Sequence, residues 1–336
     1  MVNNAFGIDL GTSNIKVYNK SDDTILVEKN MIAIENKSTL FAYGDSAFEM
    51  YEKAPGNIVI SYPLSNGVIA DIKNMETLVR YFITDLTQNN LKPADYYVAV
   101  PTDITEVEKR AFYDLVKEAN VKAKRILIVE KAVADGLGLD IDVKNSQGVL
   151  IVNVGFDTTE ISILSLGGIV LSRLIKIGGQ KFDDAIRAAV RRECSLIIGG
   201  KTAENVKIAL HELEAEGKGA VVYGRDIVTG LPVEREIPTE IVDTSLKEHF
   251  NTIIDNIKVI LERTPPELAA DIYRHGVYLT GGASQVNHLA SLMSSGTGLK
   301  VNVSENPVTS VALGLSRIIK EDNYKSVAYA IEGMNK

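Results

Sequence analysis

The chain has 336 residues, 45% of them hydrophobic and 24% charged, a length and balance that predict two globular domains with real cores and exclude a disordered protein. Its 36 basic and 44 acidic residues give a net charge of -8 with no basic block, which argues against nucleic acid as a partner. One cysteine (Cys194) excludes an internal disulfide, and four histidines without ligand spacing predict no side-chain metal centre; the opening MVNNAFGIDLG and the absence of a long apolar run predict a soluble cytoplasmic protein.

Residues 5–18, AFGIDLGTSNIKVY, run from an apolar strand through Asp9 and Gly11 to Thr12, Ser13, Asn14 and a second, alternating strand. A glycine there lets backbone N–H groups converge on an anion, and the hydroxyls add donors. An acid beside an anion site makes sense when a divalent cation lies between them, so Asp9 is expected to face Mg2+ through water. Residues 30–63 read as short strands and turns with no helix, a small inserted subdomain. The spacing of Met75, Leu78, Val79, Phe82, Ile83 and Leu86 predicts an amphipathic helix. Residues 97–100 read as a buried strand, Asp103 and Glu106 have capping-box spacing for the next helix, and residues 125–129 complete a βαβ unit. Residues 130–139, EKAVADGLGL, read as a helix at a hinge position.

Residues 148–164, GVLIVNVGFDTTEISIL, then repeat the first hairpin, with Asn153 in place of Asp9 at an offset of 144 residues, followed by Gly155, Phe156, Asp157 and Thr158. One long repeat period predicts a duplicated domain. Gly167-Gly168 reads as a two-residue turn, Gly178-Gly179 open a helix, residues 201–213 form another, and residues 221–238 are β-rich. A long helix through Leu246, Phe250, Ile253, Ile257 and Ile260 is expected to end before Pro265-Pro266. Residues 277–280 are a strand, and Gly281-Gly282 are expected to lead into a helix carrying Val286, Leu289, Ala290 and Met293, a place where phosphate can meet a helix N-terminus.

GIDLGTSN, PGNIV, NGVIADI, IGGQKFDDAI, TAENVK, TPPELAADI and YLTGGASQ resemble, over almost the whole chain, the bacterial actins of the MreB type within the actin, sugar-kinase and heat-shock ATPase superfamily. The resemblance implies an α/β, actin-like two-lobed fold: duplicated ribonuclease-H-like domains around a nucleotide cleft, each with a small inserted subdomain. Domain I is expected at 1–144 plus 306–336 with an insertion at about 31–65, and domain II at 145–305 with one at about 182–244. It further implies ATP or ADP with Mg2+ as ligands, head-to-tail self-association into protofilaments, and a role in cell shape. Carried over residue by residue, Asp9 faces the magnesium, and Gly11, Thr12, Ser13, Asn14, Gly155, Phe156, Asp157 and Thr158 hold phosphates with Gly178 and Gly179. Glu204 and Lys207 contact ribose and base, and Gly281, Gly282, Ala283 and Ser284 close over the adenosine.

The departures concern catalysis. The family's second loop reads Asp-x-Gly-Gly-Gly-Thr, whereas here Asn153 removes the charge and Phe156 and Asp157 crowd a turn that prefers glycine. The family's water-orienting glutamate falls on Lys131 of Glu130-Lys131-Ala132, and an ammonium suits phosphate binding better than water activation. Loss of a general base typically costs on the order of 100- to 10,000-fold in rate, so weak hydrolysis is expected, with Glu130 the alternative acid at a one-residue shift. This double departure is associated with paralogues of wall-less helical bacteria, where such filaments are tied to helicity and swimming. The loop at 89–93 offers a membrane one apolar side chain, Leu91, whose burial contributes only about 1.5–3 kcal/mol, so membrane-surface contact would need filament avidity. The rival reading is a non-polymerising, chaperone-like ATP switch; no separate peptide-binding domain accompanies it.

Overall fold

The computed structural model describes residues 4–331. They form two compact units, one of residues 4–151, 162–174 and 308–331 and one of residues 152–161 and 175–307. In chain order, β1 (Ala5–Leu10), β2 (Asn14–Asn19) and β3 (Thr24–Lys29) are followed by β4 (Ile32–Glu35), β5 (Thr39–Tyr43), α1 (Gly44–Met50) and β6 (Ile58–Ser61). Next come β7 (Leu64–Ser65), β8 (Val68–Ile69), α2 (Ile72–Leu86), β9 (Ala94–Val100), α3 (Glu106–Glu118), β10 (Ala123–Glu130) and α4 (Lys131–Gly138). The repeat begins with β11 (Val149–Val154), β12 (Thr159–Ser165) and β13 (Gly168–Ile175), then α5 (Gly179–Cys194), β14 (Leu196–Ile197), α6 (Gly200–Glu216), β15 (Ala220–Asp226) and β16 (Pro232–Ile237). It ends with α7 (Thr239–Glu262), α8 (Pro266–His275), β17 (Val277–Thr280), α9 (Leu289–Thr297) and β18 (Val301–Val303), after which α10 (Ser310–Lys320) belongs to the first unit.

The duplication is visible in topology. One five-stranded sheet has the order β3-β2-β1-β9-β10 and the other β13-β12-β11-β17-β18, the same arrangement of hairpin meander and crossover strands. In the first, β1 lies between antiparallel β2 (Ile8 opposite Val17) and parallel β9 (Ile8 opposite Val98), so all six of its residues are buried. The faces of this sheet are covered by apolar stripes that the sequence spacing defines: Met75, Leu78, Val79, Phe82 and Ile83 of α2, and Phe112, Leu115 and Val116 of α3. The inserted subdomain has its own three-stranded sheet, β5-β4-β6, over a small cluster of Met31, Ala33 and Ala47.

Several local expectations shift. The insertion contains a helix, α1, whose seven residues are too few to show a helical period. The capping box is Thr105 with Glu108, two residues beyond Asp103 and Glu106, because Thr105 has the extended backbone a cap needs while Asp103 lies at φ +62°. The turn between β12 and β13 is Leu166-Gly167, both left-handed (φ +53° and +77°), and Gly168 already belongs to the strand. Gly281-Gly282 lead into a short 3-10 turn, Gly282–Gln285, and α9 starts only at Leu289, so Val286 lies outside it. Leu91 is half-buried against the core of its unit, so the loop at 89–93 does not present it to a bilayer. Among the described residues no helix is long and apolar enough to cross a membrane.

The last helix, α10, is what ties the first site together. It lies on β1 where Gly7 leaves room: a Cβ there would sit 2.8 Å from Leu315 Cβ. It crosses α4 with backbones in contact, since a Cβ on Gly138 would lie 1.8 Å from Ser310 O and one on Gly314 1.7 Å from Ala134 O. No side-chain rotation relieves a backbone clash, so Gly314→Ala is expected to destabilise the protein by about 1–3 kcal/mol or more, read as a fall in the denaturant midpoint.

Candidate functional site

In the first repeat turn, Asp9 stands near the end of β1, directly opposite Lys16 in the hairpin register. Lys16 Nζ donates to Asp9 Oδ2 at 3.1 Å, with side chains 13% and 3% exposed. Burial pushes the Asp9 carboxyl up, but the ammonium groups of Lys16 and Lys131 outweigh it and hold the acid below the usual carboxylate range. Gly11 N–H donates to the Asn14 carbonyl at 3.1 Å, which closes the turn around Thr12 and Ser13. Asn30 braces it from behind: its N–H donates to Ser13 O (2.9 Å) and its Nδ2 to Gly11 O (2.9 Å). Among the described residues Asn30 Oδ1 is buried with no hydrogen-bond partner.

Glu130 and Lys131 sit at the junction of β10 and α4, as N-cap and first helical residue. Their side chains have different surroundings. Glu130 Oε1 accepts from Lys109 Nζ (3.0 Å) and from Tyr329 OH (2.8 Å). Burial and this bond push the Tyr329 hydroxyl up to about 12, and the Glu130 carboxylate holds the Lys109 ammonium well above its ordinary value despite desolvation. Tyr329 also forms an antiparallel bridge with Ile128 on β10 through both backbone bonds, 2.8 and 3.0 Å. Lys131, in contrast, acts electrostatically on Asp9.

In the second turn, Gly155 N–H donates to Thr158 O at 2.8 Å, the counterpart of the Gly11 bond. Phe156 and Asp157 fit without left-handed backbone, contrary to the crowding expected from sequence. The N-terminus of α5 accommodates them: Gly179 N–H donates to Gly155 O (3.0 Å) and Gln180 N–H to Phe156 O (2.8 Å). Thr159 Oγ1 donates to Ile177 O at 2.8 Å and fixes Gly178 beside the turn. Asn153 is 7% exposed, and the loop at Gly281 (φ +88°) passes so close that a Cβ there would meet its Oδ1 at 2.6 Å. Ala283 and Ser284 are buried while Gly282 is exposed, and Ser284 Oγ, like Asn30 Oδ1, is buried without a partner.

On α6, Glu204 is half-buried and Lys207 is buried. Lys207 Nζ lies 2.7 Å from Asp183 Oδ1 of α5 and donates to Gly179 O at 3.3 Å. The expected nucleotide-contacting lysine is thus also a brace between α6 and the start of α5. Burial of Asp183, with the nearby carboxylates of Glu204 and Asp184, outweighs the attraction and hydrogen bond of Lys207, and its carboxyl is raised to about 6. Lys16, Asn30 and Asp183 were not singled out from sequence. Lys16 was legible there, as an opposite charge facing Asp9 across a hairpin of known turn length; Asn30 and Asp183 gave no comparable signal.

One ionised carboxylate at the mouth of a backbone N–H turn suits a hydrated Mg2+ held through water, not a direct side-chain cage. The orphaned Asn30 Oδ1 and Ser284 Oγ suit a polar ligand. With a folded-state carboxyl near 6 against 3.8 in the unfolded chain, Asp183 binds protons more tightly in the native protein, so its contribution to stability is present below about pH 4 and is lost as the pH rises through 6. Asp183→Asn is expected to remove that slope, a difference on the order of 2–3 kcal/mol between pH 4 and 7, measured by denaturation of both proteins across this range.

The family model described as "MreB/Mbl protein" matches residues 3–327. The cell shape-determining protein Mbl of Bacillus subtilis (strain 168) is 37% identical over 92% of this chain and 93% of its own length. The cell shape-determining protein MreB of Escherichia coli (strain K12) is 34% identical over 94% and 92%. The crystal structure of MreB 5 of Spiroplasma citri bound to AMPPNP superposes with a TM-score of 0.89 at 33% identity, covering 97% of this chain and 99% of that one. The duplicated sheets and inserted subdomain are therefore those of an actin-like α/β fold, and a match over nearly the full length, in sequence and in structure, establishes that the chain belongs to the MreB/Mbl protein family.

Proposed function

We propose that this chain is a nucleotide-dependent, filament-forming cytoskeletal protein of the MreB type, acting in cell shape, with weakened ATP hydrolysis. The observation that carries the reading is the first turn, a closed N–H loop beside a buried carboxylate kept ionised by two lysines, in a family whose member from Spiroplasma citri has been crystallised with AMPPNP. Two related chains bear the description "cell shape-determining".

In this reading Gly11, Thr12, Ser13 and Asn14 hold phosphates, as do Gly155 and Thr158, with Gly178 and Gly179 behind the second turn. Gly281, Gly282, Ala283 and Ser284, with Glu204 and Lys207 on α6, take the nucleoside. Mg2+, when bound with the nucleotide, supplies charge neutralisation beside Asp9. Lys16 and Lys131 place positive charge at the same carboxylate, which favours holding phosphate. Activating water is another matter. Lys131 is not a carboxylate, Glu130 is committed to Lys109 and Tyr329, and Asn153 carries no charge, so the general-base role is weakly filled. Domain I (1–144 and 306–336) and domain II (145–305) each contribute one turn. Self-association into protofilaments is the proposed output, and a membrane-surface contact would rest on avidity along the filament, with Leu91 turned towards the core.

The deciding experiment is ultracentrifuge pelleting with ATP, ADP or a non-hydrolysable analogue, with released phosphate assayed in the same tubes. Pelleting with little phosphate release is expected; a protein that binds ATP yet stays in the supernatant in every nucleotide state is the non-polymerising switch instead. Lys131→Glu is expected to raise phosphate release by roughly 10- to 100-fold in single-turnover assays, and unchanged turnover removes Lys131 from the mechanism.

A further inference from the structure

The histidines show no ligand spacing along the sequence, yet the fold gathers one of them into a compact cluster. His288, immediately before α9, meets Glu214 near the end of α6 and Asp243 in the second turn of α7. One ligand atom from each lies within 4.8 Å of the others. We propose that Glu214, Asp243 and His288 form a divalent transition-metal site, with Zn2+ the ion best suited to it.

The argument is geometric and chemical. His288 Nε2 is 2.6 Å from Glu214 Oε2, so ligand atoms from two elements converge, and Asn287 Nδ2 donates to the same carboxylate oxygen at 2.7 Å and helps to orient it. Asp243 faces it from α7, holding Lys247 at 2.9 Å. The side chains of Glu214, Asp243 and His288 are 25%, 19% and 40% exposed, which leaves an ion a path from solvent and a wall of protein behind it. One imidazole nitrogen with two carboxylate oxygens is a donor set for Zn2+, and a fourth position stays open for water. Ligands around a tetrahedral centre with bonds of about 2.1 Å stand about 3.4 Å apart, so His288 Nε2 and Glu214 Oε2 would part from 2.6 Å to admit an ion, while no ligand atom lies more than 4.8 Å from another. Two contacts yield: the one between His288 Nε2 and Glu214 Oε2, which the ion replaces, and the one from Asp243 to Lys247, which is itself 53% exposed and returns to water at small cost.

The site lies at the far end of the stretch that begins with Gly281, and α6 also carries Glu204 and Lys207. A bound ion would fasten that loop to α6 and α7. This consequence for nucleotide affinity rests on the proposed function, whereas metal binding does not.

The test uses the full chain, stripped with chelator and titrated with Zn2+ by calorimetry and with Co2+ by visible absorbance. One equivalent is expected, with the intense d–d bands of a four-coordinate Co2+ centre. Glu214→Gln and His288→Asn, the latter chosen because asparagine tolerates the left-handed backbone at φ +67°, are each expected to weaken binding about 10-fold or more while circular dichroism stays unchanged. His211→Ala, on the exposed face of α6, is expected to leave binding intact. No saturable binding by the unaltered protein, binding that survives both cluster substitutions, or binding lost with His211 would overturn the site. Nucleotide affinity measured with and without Zn2+ then reads the clamp separately, so metal binding without nucleotide binding leaves the site standing and removes the proposed function.

Discussion

The first unit is built on backbone contact. Gly7 gives the Leu315 and Ile319 side chains of α10 room against β1, and Gly138 and Gly314 let α10 cross α4 backbone to backbone. That chain of contacts fixes how far the start of α4 stands from the end of β1, and so how strongly the ammonium of Lys131 is felt at Asp9. A carboxylate 2% exposed is tolerable only with charge beside it, and both lysines that supply it are placed by backbone geometry: Lys16 by hairpin register, Lys131 by the helix crossing.

The two turns share a hydrogen bond and differ in charge. Gly11 to Asn14 and Gly155 to Thr158 close equivalent loops, yet the first has an acid under two lysines and the second an amide under a glycine loop. The second half does contain a buried acid and lysine, Asp183 of α5 with Lys207 of α6, where burial outweighs the lysine and raises the carboxyl. Duplication has preserved the backbone of the site while its electrostatics diverged.

What sequence revealed follows from the range over which each signal acts. The repeat, the βαβ unit, and the long helices α2 and α7 were legible because burial imposes a period on many residues at once. Features set by a single backbone angle were not: Leu166 in the left-handed region moved a turn by one residue, and Asp103 moved a capping box by two. Helix α1 is too short for periodicity. The site was legible as motifs, in Asp9, the glycines and Lys131, whereas its bracing was not, because Asn30 and Asp183 act through contacts that only the folded chain creates. Within the second turn, Phe156 and Asp157 need no glycine because neither takes a left-handed backbone, and the start of α5 donates to the Gly155 and Phe156 carbonyls.

The bridge between Tyr329 and Ile128 has a further consequence. β10 is the outermost strand of its sheet, and an open strand edge is a template onto which any extended chain can add. A protein that self-associates at high local concentration is the kind most exposed to that error. Tyr329 pairs with Ile128 at one position of that edge and is anchored through its hydroxyl to Glu130, so a strand adding there would have to displace it. Ordered assembly then has one fewer competitor in amyloid-like stacking.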